Sequence, residues 1–275
     1  DALALRTVVE HAQPDEVYHL AAQSHVGQSF TQPETTTATT GLGAVRMLEA
    51  VRAWRDATRR DVRYYQAGSS EMFGAAPAPQ NERTPFQPRS PYGCAKVLAH
   101  HATVLARDAH GLHACNGILF NHESPRRGEE FVTRKVARAA ARIRLDPGER
   151  LALGNLEARR DWGYAPDYVD AMWRMLQQDA PGDWVVATGV THSVRELLEV
   201  AFAHVGLDWR DHVDVDAALL RPLDVDDLCG DASRARGELG WRPRKSFGDM
   251  VVEMTDRELE RAARDAAAHV GLREP

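Results

Sequence analysis

Cysteine is scarce in this chain: Cys94, Cys115 and Cys229 are the three in 275 residues. They are scattered and odd in number, which excludes a disulfide framework and fits a reducing compartment. None stands at a metal-ligand spacing, so no metal is expected. Lysine is equally scarce, with Lys96, Lys135 and Lys245, and arginine supplies the rest of the 34 cationic residues. There is no basic tail and no basic stripe interleaved with aromatics, and the formal charge is −6, so nucleic acid is not an expected partner. No apolar run reaches bilayer length and no secretory signal pattern is present; the expectation is no membrane and a cytoplasmic location. His100 and His101 are adjacent on a predicted helix and point apart, as packing or surface histidines do.

What the chain does contain is organised around Tyr64 to Lys96. An apolar run, Val62 to Ala67, leads into Gly68-Ser69-Ser70-Glu71, a strand with polar groups at its C-terminal end. After a Pro-rich loop, Tyr92 and Lys96 stand four residues apart at the start of a predicted helix and share a face. A hydroxyl, a carboxylate, a phenol and an ammonium thus converge from two elements. A phenol with a pKa of about 10 is a poor base at neutral pH. A neighbouring ammonium favours the phenolate, so Lys96 is expected to lower the pKa of Tyr92. Tyr92 can then take a proton from a sugar or alcohol hydroxyl while hydride leaves the carbon, with Ser69 orienting the same oxygen and Lys96 holding a nicotinamide ribose. Glu71 is surplus to simple alcohol oxidation and suggests a second proton transfer, at the carbon next to the new carbonyl. The bland alternative is a chance Tyr-x-x-x-Lys pair on a helix.

Composition, 43% hydrophobic and 27% charged, suits one large domain or two intimate ones. The first residues read as a helix with Leu5, Val8 and Val9 as its apolar stripe. Glu16 to Leu20 reads as a buried strand, and the small residues after it admit a ligand to the backbone or, equally, a tight strand-to-loop packing. A helix over roughly Thr40 to Arg55, the strand up to Ala67, a helix to His110 closed by Gly111, and a strand from Leu112 to Phe120 follow. Helix and strand alternate as in a parallel sheet with crossovers. The Pro-rich segment Ala75 to Ser90 reads as a lid or substrate loop beside the site or as an ordinary excursion. Further on, Leu151 to Gly154 and Asp183 to Ala187 read as strands. Pro166 to Gln178, Val194 to Val205, Asp231 to Leu239 and Ser246 to Ala263 read as helices.

The segments QPDEVYHLAAQSHV, SSEMFG, PRSPYGCAK, NHESPRRGEEFVTRK, RDWGYAPDYVDAMW and ATGVTHSVREL closely resemble the GDP-mannose 4,6-dehydratase family of extended short-chain dehydrogenases/reductases. The resemblance covers nearly the whole chain, and NHESPRRG with FVTRK is far more specific than the Tyr-Lys pair. It implies Ser69, Glu71 and Tyr92 as catalytic residues and Lys96 as the cofactor lysine. It implies NADP as cofactor, with Leu20, Ala21, Ala22, Ser24, His122 and Arg127 among its contacts. For GDP-mannose it implies Asn121, Glu123, Val132 and Lys135 from a first segment, Gly154 and Arg160 from a second, and Arg221 and Asp224 from a third. Arginine forks suit the two phosphates; for Arg126, Arg127 and Arg134 the structural alternative is a solvated charge run. Three positions depart from the family pattern. Ser69 stands where Thr is usual and loses a rotamer-restricting methyl. Thr35 replaces an aromatic residue, and Asp224 replaces a Glu and shortens its reach.

The resemblance further implies an α/β fold: an incomplete Rossmann-type parallel sheet with an interleaved carboxy-terminal substrate domain. Residues 1–120 would form a partial dinucleotide-binding domain, 121–160 a substrate segment, 161–187 a return to the Rossmann domain and 188–275 mainly substrate domain. A complete member should open with a strand, a Gly-x-x-Gly-x-x-Gly turn and a helix, roughly 60 residues that have no counterpart here. Glu16 to Leu20 is therefore expected at a sheet edge. The expected activity is conversion of GDP-mannose to GDP-4-keto-6-deoxy-mannose and water through transient C4 oxidation, by a homodimer or homotetramer if complete. The alternatives are another nucleotide-sugar dehydratase, a 4-epimerase, or an inactive family remnant with a structural or interaction role.

Overall fold

Parallel strands need long crossovers, and this chain supplies them as helices. The structure, a computed structural model, describes residues 1–219, 223, 225 and 227–271, the side chains of 266–271 excepted; Arg221 and Asp224 lie outside the described residues. Helix α1 (Ala2–Ala12) is capped by Asp1, whose carboxylate accepts from the Ala4 amide at 2.7 Å. Strand β1 (Glu16–His19) follows. Helices α2 (Val26–Thr31) and α3 (Pro33–Thr36) continue through a π-helical turn, Thr37–Leu42, into α4 (Gly43–Thr58). The helix expected from Thr40 thus starts earlier and carries a bulge of the kind that recurs beside functional sites. Then come β2 (Arg63–Ala67), a 3-10 turn (Ser70–Met72), α5 (Pro91–His110) and β3 (His113–Leu119).

The second half interleaves short strands with helices: β4 (Asn121–Glu123), α6 (Val132–Leu145), β5 (Leu151–Leu153), β6 (Arg159–Arg160) and β7 (Trp162–Tyr164). After them come α7 (Ala165–Leu176), β8 (Asp183–Val186), β9 (His192–Ser193), α8 (Val194–His204), β10 (Val213–Val215), β11 (Asp227–Leu228), α9 (Ser233–Glu238) and α10 (Phe247–Gly271). The terminal helix runs past the expected end at Ala263.

The main sheet has four strands in the order β1-β2-β3-β8, all parallel, with Glu16 opposite Arg63, Tyr65 opposite Cys115 and Asn116 opposite Asp183. Small sheets pair β4 with β7, β5 with β10, and β6 with β11 and, antiparallel, with β9. The fold is therefore an incomplete Rossmann-like α/β sheet with a helical carboxy-terminal region packed against it. Among the described residues no strand pairs with the outer side of β1, which is the expected edge. Its side chains are less exposed than that expectation implied: His19 is buried, while Leu20, just past the strand, is 54% exposed.

Apolar side chains gather in separate clusters. One packs Tyr65, Phe73, Phe120 and Trp184 of the sheet region against Tyr168 and Met175 of α7 and against Leu228 and Trp241. A second unites α6, α8 and α10 through Val136, Leu198, Phe202 and Met254. A third fixes α1 and α4 beneath β2 through Val9, Val51 and Trp54. Val8, expected in the stripe of α1, is instead 60% exposed, because Val9 and the half-buried Leu5 are the side chains that face α4.

The segment from Ala75 to Ser90 is not a lid. Buried Gln80 donates to the Ala76 carbonyl, its side-chain oxygen accepts from the Cys229 amide, and its backbone bridges to Gly230. Glu82 accepts from the Val185 amide at 2.7 Å. These bonds hold the segment along the end of β8 and away from the cavity described next.

Candidate active site

Three strands of one sheet end together, and the polar residues that follow them meet α5 there. β2 runs out at Ala67, and Ser69 turns the chain into the short 3-10 helix by accepting from the Glu71 amide at 3.2 Å. Ser90 caps α5 by accepting from the Gly93 amide at 3.0 Å, and Pro91 fits the first helical turn. Gly93 decides how closely the two pieces approach. A Cβ there would lie 2.7 Å from the Glu71 carbonyl oxygen, so only glycine lets α5 press Tyr92 against Ser69. The helix closes at Gly111 with φ 62°, as expected.

Ser69, Glu71, Tyr92 and Lys96 are all buried and line one cavity of about 570 Å³ at the C-terminal ends of β1, β2 and β3. That is where an open α/β sheet binds its ligands. Burial pushes the Tyr92 phenol up to about 12; the Ser69 hydroxyl bonded to it and the charge of Arg127 pull the other way, and the Glu71 charge adds to the rise. The expectation that Lys96 lowers this pKa is overturned. The ammonium sits 5.8 Å from the Tyr92 ring centroid and donates to the Ala67 carbonyl at 2.7 Å. Loss of water around the phenol outweighs the nearby charges. The same desolvation drops Lys96 to about 8.

Of the residues expected at a cofactor, Leu20, Ala22, Ser24, His122 and Arg127 line the cavity together with Lys96. Ala21 does not line it and is exposed. His122 gives its Nδ1 proton to the Phe120 carbonyl at 2.8 Å and stacks on Tyr168 at 4.7 Å. Burial holds it down to about 4, so it is neutral and its Nε2 is an acceptor.

Asn121, Glu123, Val132, Lys135, Gly154 and Arg160, expected at the sugar nucleotide, also line the cavity. Several have partners within the chain. Arg127 Nε lies 3.1 Å from Glu123 Oε2, the Thr133 hydroxyl donates to the same oxygen at 2.6 Å, and the guanidinium covers the Phe131 ring at 3.6 Å. Half-buried Arg127 is thus paired with buried Glu123 and is not part of a solvated charge run. Lys135 donates to the Ala152 carbonyl, and buried Arg160 to the Val225 carbonyl. His25, Phe131, Thr133, Asn155, Met172 and Leu219 line the cavity without having been singled out from the sequence. The signal for His25, Phe131 and Thr133 lay inside AAQSHV and FVTRK, where the cavity-facing positions are fixed by backbone direction. Cationic donors beside neutral acceptors, in a cleft of this size, fit a ligand carrying ribose and phosphate groups. Among the described residues no group of His, Cys, Asp or Glu is placed to hold a metal ion, and no helix is long and apolar enough to cross a membrane.

A parallel sheet of this topology, with a Ser-Glu-Tyr-Lys set at its strand ends, defines an extended short-chain dehydrogenase/reductase. Solved structures share the fold. RMD from Pseudomonas aeruginosa complexed with NADPH superposes with a TM-score of 0.80 at 23% identity, over 90% of this chain and 82% of that one. Thermus thermophilus UDP-glucose 4-epimerase in complex with NAD gives 0.83, also at 23% identity, over 94% and 82%. The family model described as GDP-mannose 4,6 dehydratase matches residues 1–254. GDP-mannose 4,6 dehydratase 1 of Arabidopsis thaliana is 56% identical over 265 residues, 96% of this chain and 73% of that protein. The Homo sapiens GDP-mannose 4,6 dehydratase is 46% identical over 278 residues, 94% and 74% of the two chains. The chain belongs to the GDP-mannose 4,6-dehydratase family.

Proposed function

We propose that this chain is an NADP-dependent lyase that converts GDP-mannose to GDP-4-keto-6-deoxy-mannose and water. The observation that carries the reading is the burial of Glu71 in the same cavity as Ser69, Tyr92 and Lys96. A carboxylate beside the phenol supplies the second proton transfer that a dehydratase needs and an alcohol dehydrogenase does not. The relatives named GDP-mannose 4,6 dehydratase support the choice of substrate.

NADP, held by residues such as Lys96, His122 and Arg127, would supply a hydride acceptor for C4 of the sugar and a hydride donor for C6. Tyr92 takes the C4 hydroxyl proton, and Ser69 hydrogen-bonds the C4 oxygen as it becomes a carbonyl. The C4 carbonyl acidifies the C5 proton. Glu71 removes that proton and delivers it to the C6 hydroxyl, which leaves as water. When C6 regains hydride, the proton held by Tyr92 passes to C5. Atoms and electrons balance: no external oxidant is consumed and one water is lost. In the free protein Tyr92 holds its proton, which passes to solvent before the phenolate takes the C4 proton; Ser69 and Arg127 are the groups that favour that phenolate. Lys96 and the neutral His122 suit the ribose and amide end of the cofactor, and Arg127 and Arg160 suit phosphates.

In this reading residues 1–120 and 161–187 carry the dinucleotide, while 121–160 and 188–275 mainly cover the sugar nucleotide. The active species is a homodimer or homotetramer in the cytoplasm, checked by light scattering and cell fractionation. The test of the chemistry is Tyr92→Phe. Turnover should fall by about a thousandfold, the scale of a lost general base, with NADP binding retained. Turnover at the parent rate would contradict the assignment.

A further inference from the structure

A glutamine in the middle of a buried strand needs partners for every polar atom, and Gln66 has them. The residue is 1% exposed on β2. Its side-chain oxygen lies 3.1 Å from His19 Nδ1 and accepts the Tyr64 hydroxyl at 2.9 Å. With the oxygen so engaged, Nε2 donates to the Ala67 carbonyl at 3.2 Å. That carbonyl is also the acceptor for Lys96 Nζ, at 2.7 Å. The arrangement fixes the amide orientation of Gln66 and puts the His19 proton on Nδ1.

Sheet geometry explains why the carbonyl is available. His19 is the last residue of β1 and pairs with Gln66, the last registered pair of the two strands. Ala67 lies one residue past that pair, so its carbonyl faces side chains beyond the end of the edge strand. Burial holds His19 neutral, and no carboxylate is interposed in the run of bonds from His19 to Lys96.

We infer that Gln66 is a positioning residue for Lys96: held by His19 and Tyr64, it aims the Ala67 carbonyl that fixes the ammonium in the cavity. The edge strand thereby reaches the site through hydrogen bonds rather than by lining it. The kinetic consequence rests on the lyase reading; the structural consequence does not.

The three lysines make the test direct. In protein labelled with 13C-lysine, Lys96, Lys135 and Lys245 each give a side-chain Cε signal. Lys135, on the Ala152 carbonyl, reports on the α6 side of the same cavity, and Lys245, paired with Glu253, on the carboxy-terminal region. In Gln66→Met the Lys96 signal should move and broaden while the other two stay. His19→Leu, which removes only the outer bond, should move it less in the same direction. His19→Asn, which keeps an N–H donor near the position of Nδ1, should leave it in place. NADP affinity should fall by about tenfold in Gln66→Met, the scale of one hydrogen bond to a charged group. An unmoved Lys96 signal in both Gln66→Met and His19→Leu would overturn the inference. So would equal movement of all three signals, which marks a general disturbance. The spectra need no turnover, so they stand apart from Tyr92→Phe, whose retained activity would remove the lyase reading and leave this one intact.

Discussion

Tyr92 and Lys96 illustrate what a spacing tells and what it leaves out. Four residues on a helix put the two on one face, and the structure places them so. The direction of the tyrosine pKa was not legible, because it depends on how much water the folded chain removes. Lys96 carries a testable consequence of the same burial. Its ordinary value is 10.5 and burial lowers it to about 8. Between those values the unfolded chain binds a proton that native Lys96 has released, so stability contributed by this residue rises with pH across that window. Urea midpoints of the parent minus those of Lys96→Met should therefore increase from pH 8 to pH 10.5; a flat difference would show that the ammonium is solvated. Glu71 is tested by Glu71→Gln. This variant should still oxidise C4, seen as reduced nicotinamide absorbance, yet release no dehydrated sugar. Unchanged dehydration would assign the C5 proton to another group.

Elements were legible where their signals are local. β1, β2, β3 and β8 fall within two residues of their expected bounds because apolar runs between turn residues are short-range signals. The segment 75–90 was ambiguous because its fate rests on Gln80 and Glu82 bonding to residues far along the chain. Asp161 is a similar case. Its Oδ1 accepts from the Thr188 amide and hydroxyl at 2.8 and 2.6 Å, and its Oδ2 from the Gly189 and Gly230 amides at 2.8 and 3.3 Å. One buried carboxylate thus ties the end of β8 and the segment after β11 to the strand beside Arg160. Asp161→Asn would set an NH2 group against backbone donors, and chemical denaturation should show a loss of about 2–3 kcal/mol. A loss within 0.5 kcal/mol, the usual range for surface changes, would mean that water replaces those contacts. At the sheet edge, the β1 amides should exchange with deuterium faster than those of β2 and β3, since one side of β1 has no strand partner among the described residues. Equal protection in a monomer would mean that something other than a strand covers that edge.

At the scale of the whole molecule, a sheet-centred core and a helical core meet at one cavity. The sheet side brings Ser69, Glu71, Tyr92 and Lys96; α6 and the short strands bring Val132, Lys135, Gly154 and Arg160. The division of labour was visible in the motifs, but the pairing of Glu123 with Arg127 and the closeness of Gly93 to Glu71 exist only in the folded chain. The central claim is a transfer of hydride from C4 to C6 with proton exchange at C5, and isotope labelling reads it in one experiment. The chain is incubated with NADP and GDP-mannose in D2O, and the sugar nucleotide is analysed by NMR and mass spectrometry. The account predicts GDP-4-keto-6-deoxy-mannose carrying solvent deuterium at C5 and no net consumption of NADP. A 4-epimerised sugar without deuterium at C5, or unchanged GDP-mannose in the presence of saturably bound NADP, would contradict it.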